Sequence, residues 1–430
     1  MKYKAEIFDI WQYLCGKCQN YVPLIRCRID FAGRVDLEIL KQAVEQSFKT
    51  IPLARYCFDV CSNKPRWVDR GFTGEDIVCI VEAEEDEEKQ VLQYFSTEID
   101  STAQPQLKII VIRGTAGDIL CIIISHIICD GTGFKQYIYL LSELYTALRN
   151  GKELPVQAFY PRGLKPLKAS VSFREKVQIL RSNFTLERSS VIHPGFDFNT
   201  GESGTYMEKR TLSKECFAAF KAFAKSNGAT VNDGLMALFT RALCKNTDAE
   251  SLHLPSTIDL RKFISKGRKY GITNFACFCM CNIPVYPEDS LADTIKRVSG
   301  QMVRHKSGKD ILKPILIWDL VAHYVSYRKI RDLFEKTLDM PVISFTNIGI
   351  IDAELLNFDN IPIKDAYLTS PLKPRPHLQL GVSTYEGRCT LSANIYGSQD
   401  DSQFVNRLLD DMSDEVNAIS CLPKNTGIYK

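Results

Sequence analysis

The stretch Ser125-His126-Ile127-Ile128-Cys129-Asp130-Gly131-Thr132-Gly133-Phe134 decides the fold. Before it lies a dense apolar run, Asp118 to Ser125. After it, Phe134, Tyr137, Ile138, Leu141, Leu144 and Leu148 recur at helical spacing. This pattern predicts a strand buried on both faces that runs into a helix from Phe134 to Arg149, stopped by Asn150-Gly151. Such a junction can present a reactive group. The strand fixes the backbone, the turn exposes the side chain, and the helix N-terminus directs partial positive charge toward it. His126 is the candidate general base, because an ordinary imidazole, with a pKa of about 6.5, is mostly unprotonated near neutrality. Asp130 can either orient that ring or turn away and pin the loop, and Gly131 and Gly133 permit a tight turn. A histidine at a strand end is more often a hydrogen-bonded core residue than a catalyst, so the weight falls on its surroundings.

Outward from this junction, both halves of the chain mix strand and helix periods. Pro23 to Phe31, Ile77 to Val81 and Leu107 to Ile112 read as strands, and Asp36 to Lys49 reads as a helix with Leu37, Leu40, Val44 and Phe48 on one face. The acidic run Glu82 to Glu88 reads as a solvated turn opening a helix at Asp86 to Phe95. From about 151 to 203 the chain turns proline-rich and, between Lys165 and Arg181, basic, which predicts a crossover. Beyond it, strands are expected at Thr205 to Leu212, Leu252 to Asp259, Asn274 to Val285, Val342 to Asn347, His377 to Ser383 and Cys389 to Ile395. Helices are expected from Ser213 to Gly228 and at Val231 to Cys244, Leu291 to Arg304, Ile311 to Val325, Tyr327 to Thr337 and Gln403 to Ile419. The shared plan suggests two similar lobes, at 1–150 and 204–430, joined by a linker at 151–203.

Composition excludes several classes. The 430 residues carry 54 Lys+Arg against 51 Asp+Glu, a net charge of +3, without the basic excess of a nucleic-acid protein. No apolar run, Ile119 to Ile124 among them, approaches the ~20 residues of a membrane helix. The N-terminus lacks the apolar core of a secretory signal. The 15 cysteines are scattered and mostly lie in apolar stretches, which suits small buried hydrophobes in a cytoplasmic protein. Cys15-x-x-Cys18 has no second ligand pair at matching spacing, and no histidine spacing suggests a metal, so no metal site is expected. Cys277, Cys279 and Cys281 alternate and read as one core-facing strand face, while Cys129 reads as packing. No phosphate-cradling glycine loop occurs.

The motif His126-x-x-x-Asp130-Gly131 between an apolar strand and an apolar helix resembles the signature of the acyl-CoA-dependent acyltransferase and condensation-domain superfamily. Further elements resemble it in the same order. They are the helix Asp36 to Ala43, the helix from Ala229 to Leu243, Thr257-Ile-Asp-Leu-Arg261, Tyr270-Gly-Ile-Thr-Asn274, Ser344-Phe-Thr-Asn-Ile-Gly349, and the pair Leu378 to Ser383 and Gly387 to Leu391. The resemblance implies an α/β fold of two chloramphenicol-acetyltransferase-like lobes, each a mixed sheet flanked by helices, with an active-site channel between them. It assigns His126 as the base. Asp130 and Gly131 become the structural part of the motif, with Asp130 turned away to pair with Arg261. Asn274 becomes a supporting residue, and Thr346 or Asn347 a donor to the oxyanion or a channel residue.

The implied reaction moves an acyl group, expected to be acetyl, from coenzyme A to a hydroxyl or amine of a small molecule, with acyl-coenzyme A as co-substrate and no bound cofactor. Ser125 stands where many condensation domains carry a second histidine. No Asp-Phe-Gly-Trp-Gly motif occurs, and Thr346 stands where relatives often have serine. These features resemble the stand-alone bacterial alcohol O-acetyltransferase-like branch. Two other readings stay open: a free-standing condensation enzyme fed by an acyl or peptidyl carrier protein, which could dock on the basic crossover, and an inactive two-lobed binding scaffold.

Overall fold

The structure, a computed structural model, describes the chain except residues 1, 19, 62–63, 156–157, 183–202, 338–340 and 422–430. The last part of the expected crossover, with its Pro194 and Gly195, therefore lies outside the described residues.

The strands of the two main sheets are, in chain order, β1 (Leu24–Phe31), β2 (Val78–Glu82), β3 (Leu107–Arg113), β4 (Asp118–Ser125), β5 (Gly204–Leu212), β6 (Ser251–Asp259), β7 (Ala276–Pro284), β8 (Ile343–Ile351), β9 (Ile363–Thr369), β10 (Lys373–Pro374), β11 (Leu378–Tyr385) and β12 (Arg388–Gly397). The helices that bear on the site are α1 (Ile7–Cys18), α2 (Leu37–Ser47), α3 (Gly131–Arg149), α4 (Val231–Lys245), α5 (Leu291–Ser307), α6 (Lys313–Tyr324) and α7 (Gln399–Ser420).

The first sheet has the order β9-β1-β4-β3-β2, and only the β2/β3 pair is parallel. β4 is buried along its whole length because both faces are covered. Leu120, Ile122 and Ile124 join the core that α2 and α3 close, while Ile119, Cys121 and Ile123 join a second one built with Val91 and Phe95 of the helix Glu87–Phe95. That helix opens as the sequence predicts, with Asp86 accepting from the Lys89 N–H. Its acidic run is not wholly solvated, since Glu88 takes a hydrogen bond from the buried Arg28 at 2.8 Å.

The second sheet has seven strands in the order β7-β6-β8-β11-β12-β10, with β5 also on β12. Helices α4, α5 and α7 cover it with Leu238, Phe239, Val298, Met302, Leu408 and Met412. Ser398 caps α7 in a reciprocal box with Asp401, so that helix starts four residues before the expected Gln403.

Three features depart from the sequence expectation. β9, from the second half of the chain, completes the first sheet, so the expected 204–430 lobe is crossed by a strand exchange. α1 was not legible, because the buried Asp9 interrupts its apolar stripe. A small sheet of Lys2–Lys4, Arg66–Asp69 and Tyr56–Asp59 is also new. Among the described residues no helix is long and apolar enough to cross a membrane.

Candidate active site

The backbone at the end of β4 is fixed before any side chain acts. The His126 N–H donates to Pro23 O at 2.8 Å, and the Ile128 N–H donates to Ser125 O at 3.1 Å. The chain then enters α3, whose N-cap is Asp130, with Oδ1 accepting from the Gly133 N–H at 2.8 Å. The motif glycines serve close approach rather than an unusual backbone angle. A Cβ at Gly133 would sit 3.0 Å from Thr273 O and 2.9 Å from the Cys129 Cβ, and one at Gly131 would sit 3.1 Å from Ile348 Cγ2.

Asp130 pairs with Arg261, the contact that the resemblance implies. Arg261 donates to it through both terminal nitrogens, at 2.9 and 3.0 Å, and the Phe275 N–H donates to Oδ2 at 2.7 Å. Arg261 is itself held by Thr273 O and Asp259, with its guanidinium 5.4 Å from the Phe275 ring centroid. A carboxylate engaged this way is a fastener between the two halves of the chain.

Asn274 does more than bond the backbone. Its Nδ2 donates to His126 O at 2.9 Å and to Ile127 O at 3.0 Å, which fixes the amide orientation. Oδ1 then faces His126 Nδ1 at 3.2 Å as an acceptor. The proton therefore sits on Nδ1, and Nε2 is the basic nitrogen. Burial holds the imidazole below its ordinary pKa, outweighing the Asp130 charge and the Asn274 hydrogen bond; the buried Lys373 cation pushes the same way. Cys129 is buried and its thiol pKa is raised by the same desolvation, so it is packing rather than a nucleophile.

The half-buried His126 ring lines a cavity of about 200 Å³ between the two sheets. Its polar wall comes from the second sheet, where the registers Phe278↔Thr257 and Ser344↔Gln379 and the alternation along β8 place Thr257, Thr346 and Gln379 on the cavity face. Asn347 departs from expectation: its Oδ1 accepts from the Gly349 N–H at 2.9 Å across the bulge in β8, and it is not among the residues that wall the cavity.

Sequence reasoning missed the opposite, apolar wall. α1 supplies Phe8 and Trp11, α6 supplies Ile315 and Trp318, and the two indoles meet edge to face at 5.6 Å. It also missed Arg162. This buried crossover residue donates to Asp9 of α1, to Ile128 O in the motif loop and to Ile272 O beside Asn274. Neither had a local signal, since each works through segments far apart in sequence.

No family model and no curated protein matches the sequence. Solved structures do match its fold. The first condensation domain of the CDA synthetase aligns at a TM-score of 0.66 with 15% identity, covering 98% of this chain and 99% of that one. Polyketide synthase associated protein 5 from Mycobacterium tuberculosis aligns at 0.67 with 14% identity, covering 97% and 98%. The trichothecene 15-O-acetyltransferase from Fusarium sporotrichioides aligns at 0.68 with 11% identity, covering 96% and 95%. The chain therefore has the two-lobed α/β fold of condensation domains and chloramphenicol-acetyltransferase-like acyltransferases.

Proposed function

We propose that this chain is an acyltransferase that moves an acyl group from a thioester, acyl-coenzyme A in the first instance, to a hydroxyl or amine of a small molecule, with His126 as general base. The observation that carries the reading is the Asn274–His126 arrangement: a positioned ring, protonated on Nδ1, whose basic Nε2 belongs to a residue lining a cavity. In the proposed step Nε2 takes the acceptor proton as the acceptor heteroatom bonds to the thioester carbonyl carbon. The resulting oxyanion accepts a hydrogen bond from the Thr346 hydroxyl on the polar wall. Collapse breaks the carbon–sulfur bond, and the imidazolium returns its proton to the departing thiolate, so the ring ends as it began. The aromatic wall of Trp11 and Trp318 suits an apolar acyl chain or acceptor.

The test incubates the full chain with acetyl-coenzyme A and a panel of alcohols and amines, and reads free thiol. Thiol release that depends on the acceptor, without any carrier protein, supports the reading. Turnover only with carrier-bound thioesters moves the donor assignment to a condensation-type reaction, the reading suited to the condensation domains among its structural neighbours.

Two expectations follow for the imidazole. Because burial lowers its pKa, the neutral base persists to lower pH than in a free imidazole. The acid limb of kcat/KM is therefore expected to have its midpoint below ~6.5, with activity rising through it and level above it. A midpoint above that value would remove His126 as the titrating base.

Asn274→Ala withdraws the donor from two carbonyls and frees the ring to change tautomer. Each carbonyl left unsatisfied is expected to cost ~1–3 kcal/mol of stability. The distinguishing result is kinetic: kcat falls, at about tenfold per 1.4 kcal/mol of lost positioning, and the acid limb shifts. A variant that loses stability but keeps the wild-type kcat and profile would make Asn274 purely structural.

A further inference from the structure

We propose that Cys279, Cys281 and His305 form a binding site for a thiophilic metal ion, Zn(II) or Cu(I), with the Met302 thioether as a fourth donor that favours Cu(I). The site is separate from the acyl-transfer machinery and does not depend on that reading.

Alternation along β7 puts Cys279 and Cys281 on one strand face, and on α5 the spacing of three puts Met302 and His305 on one helix face. The two faces meet. The cysteine sulfurs and an imidazole nitrogen of His305 all lie within 4.8 Å of one another. Met302 Sδ stands 3.3 Å from Cys281 Sγ and 4.0 Å from Cys279 Sγ. Bonds of ~2.3 Å to sulfur and ~2.0 Å to nitrogen in a tetrahedron require donors about 3.5 Å apart, so modest rotamer adjustment closes this set around an ion.

The chemistry of the donors selects the ion class. Two thiolates and an imidazole are a familiar zinc set, and two thiolates neutralise a divalent charge in a buried place. A thioether is a soft donor suited to Cu(I). Cys279, Cys281 and Met302 are buried, whereas His305 is half-exposed and gives an ion a way in. Each thiol that binds as thiolate releases a proton, so affinity rises with pH. The strand that carries the cysteines begins with Ala276, Cys277 and Phe278 at the wall of the catalytic cavity, so a bound ion would tie that wall to α5.

The test titrates the full chain, reduced and anaerobic, with Zn(II) and separately with Cu(I), each against a chromogenic chelator. Exposed thiols such as Cys18, Cys61 and Cys421 also take up metal, so the readout is the difference between variants. Wild type is expected to retain one equivalent more than Cys279→Ser/Cys281→Ser. His305→Gln, at a half-exposed position and with its fold checked by circular dichroism, is expected to weaken that equivalent by at least ~10-fold. Met302→Leu, a volume-conserving change, is expected to weaken Cu(I) and spare Zn(II); unchanged Cu(I) retention there overturns the thioether as a donor. Equal retention of both ions by wild type, the double variant and His305→Gln overturns the site and returns these residues to core packing.

Discussion

His126→Ala is expected to lower acceptor-dependent thiol release by ~10²–10⁴-fold, the range of a positioned general base, while the thermal transition stays in place. The two halves of this expectation rest on different atoms. The rate depends on Nε2, the only ring nitrogen left basic while the Nδ1–H donates to Asn274 Oδ1. The fold of the loop depends on backbone groups that alanine keeps. The residue 126 N–H still donates to Pro23 O, and Asn274 Nδ2 still holds the carbonyls of residues 126 and 127. The ring lines a cavity, so its removal enlarges existing space rather than opening a void in packed core. Circular dichroism and thiol release on the same preparation check both halves. Turnover within a few fold of wild type would place the base elsewhere. A wild type silent toward every donor and acceptor would favour the binding scaffold.

What was legible in the sequence is what local physics decides. The continuous apolar run of β4 announces burial on both faces, and the helices expected to open at Asp36, Asp86 and Ser213 do open there, each capped by that side chain. The resemblance singled out His126, Asp130, Arg261 and Asn274, and the structure brings Arg261 to Asp130 and Asn274 to His126, while their roles in a reaction remain part of the proposal. The cavity was not. Its apolar wall joins Trp11 to Trp318, which no periodicity relates.

The same reason hid other elements. α1 buries Asp9 because Arg162, 153 residues away, supplies the compensating charge, together with an indole N–H from Trp67. β9 carries Asp365 in a mixed pattern and becomes a strand because β1 offers an open edge. Asn347 failed as a cavity residue because it follows Thr346 on the strand and so faces the other way, where its Oδ1 accepts from the Gly349 N–H across the bulge. The juxtaposition behind the proposed metal site was hidden in the same way. Cys279 and Cys281 show their shared face in sequence, while His305 reaches them only through the packing of α5 on β7.

Asp130→Ala is expected to damage folding first and activity as a consequence. The side chains of Asp130 and Arg261 are 5% and 8% exposed, and the carboxylate also takes the N–H groups of Gly133 and Phe275. Alanine leaves the guanidinium, among the described residues, with only the more exposed Asp259 as an anionic partner and removes the α3 N-cap. Breaking one side of a buried pair costs ~3–5 kcal/mol, which at ~1 °C per kcal/mol for a chain of 430 residues lowers Tm by roughly 3–6 °C. Arg261→Ala leaves the reverse orphan, a buried carboxylate, and should cost a similar amount. The double variant should cost clearly less than the two added together, because neither charge is then left alone. Asp130→Asn keeps the Oδ1 acceptor for Gly133 and should fall between wild type and alanine. Differential scanning calorimetry beside thiol release reads all four proteins. If Tm holds while turnover vanishes, Asp130 acts on the reaction itself and its role as a fastener is wrong; if turnover tracks the folded fraction, the chemistry rests on the imidazole that this ion pair keeps in place.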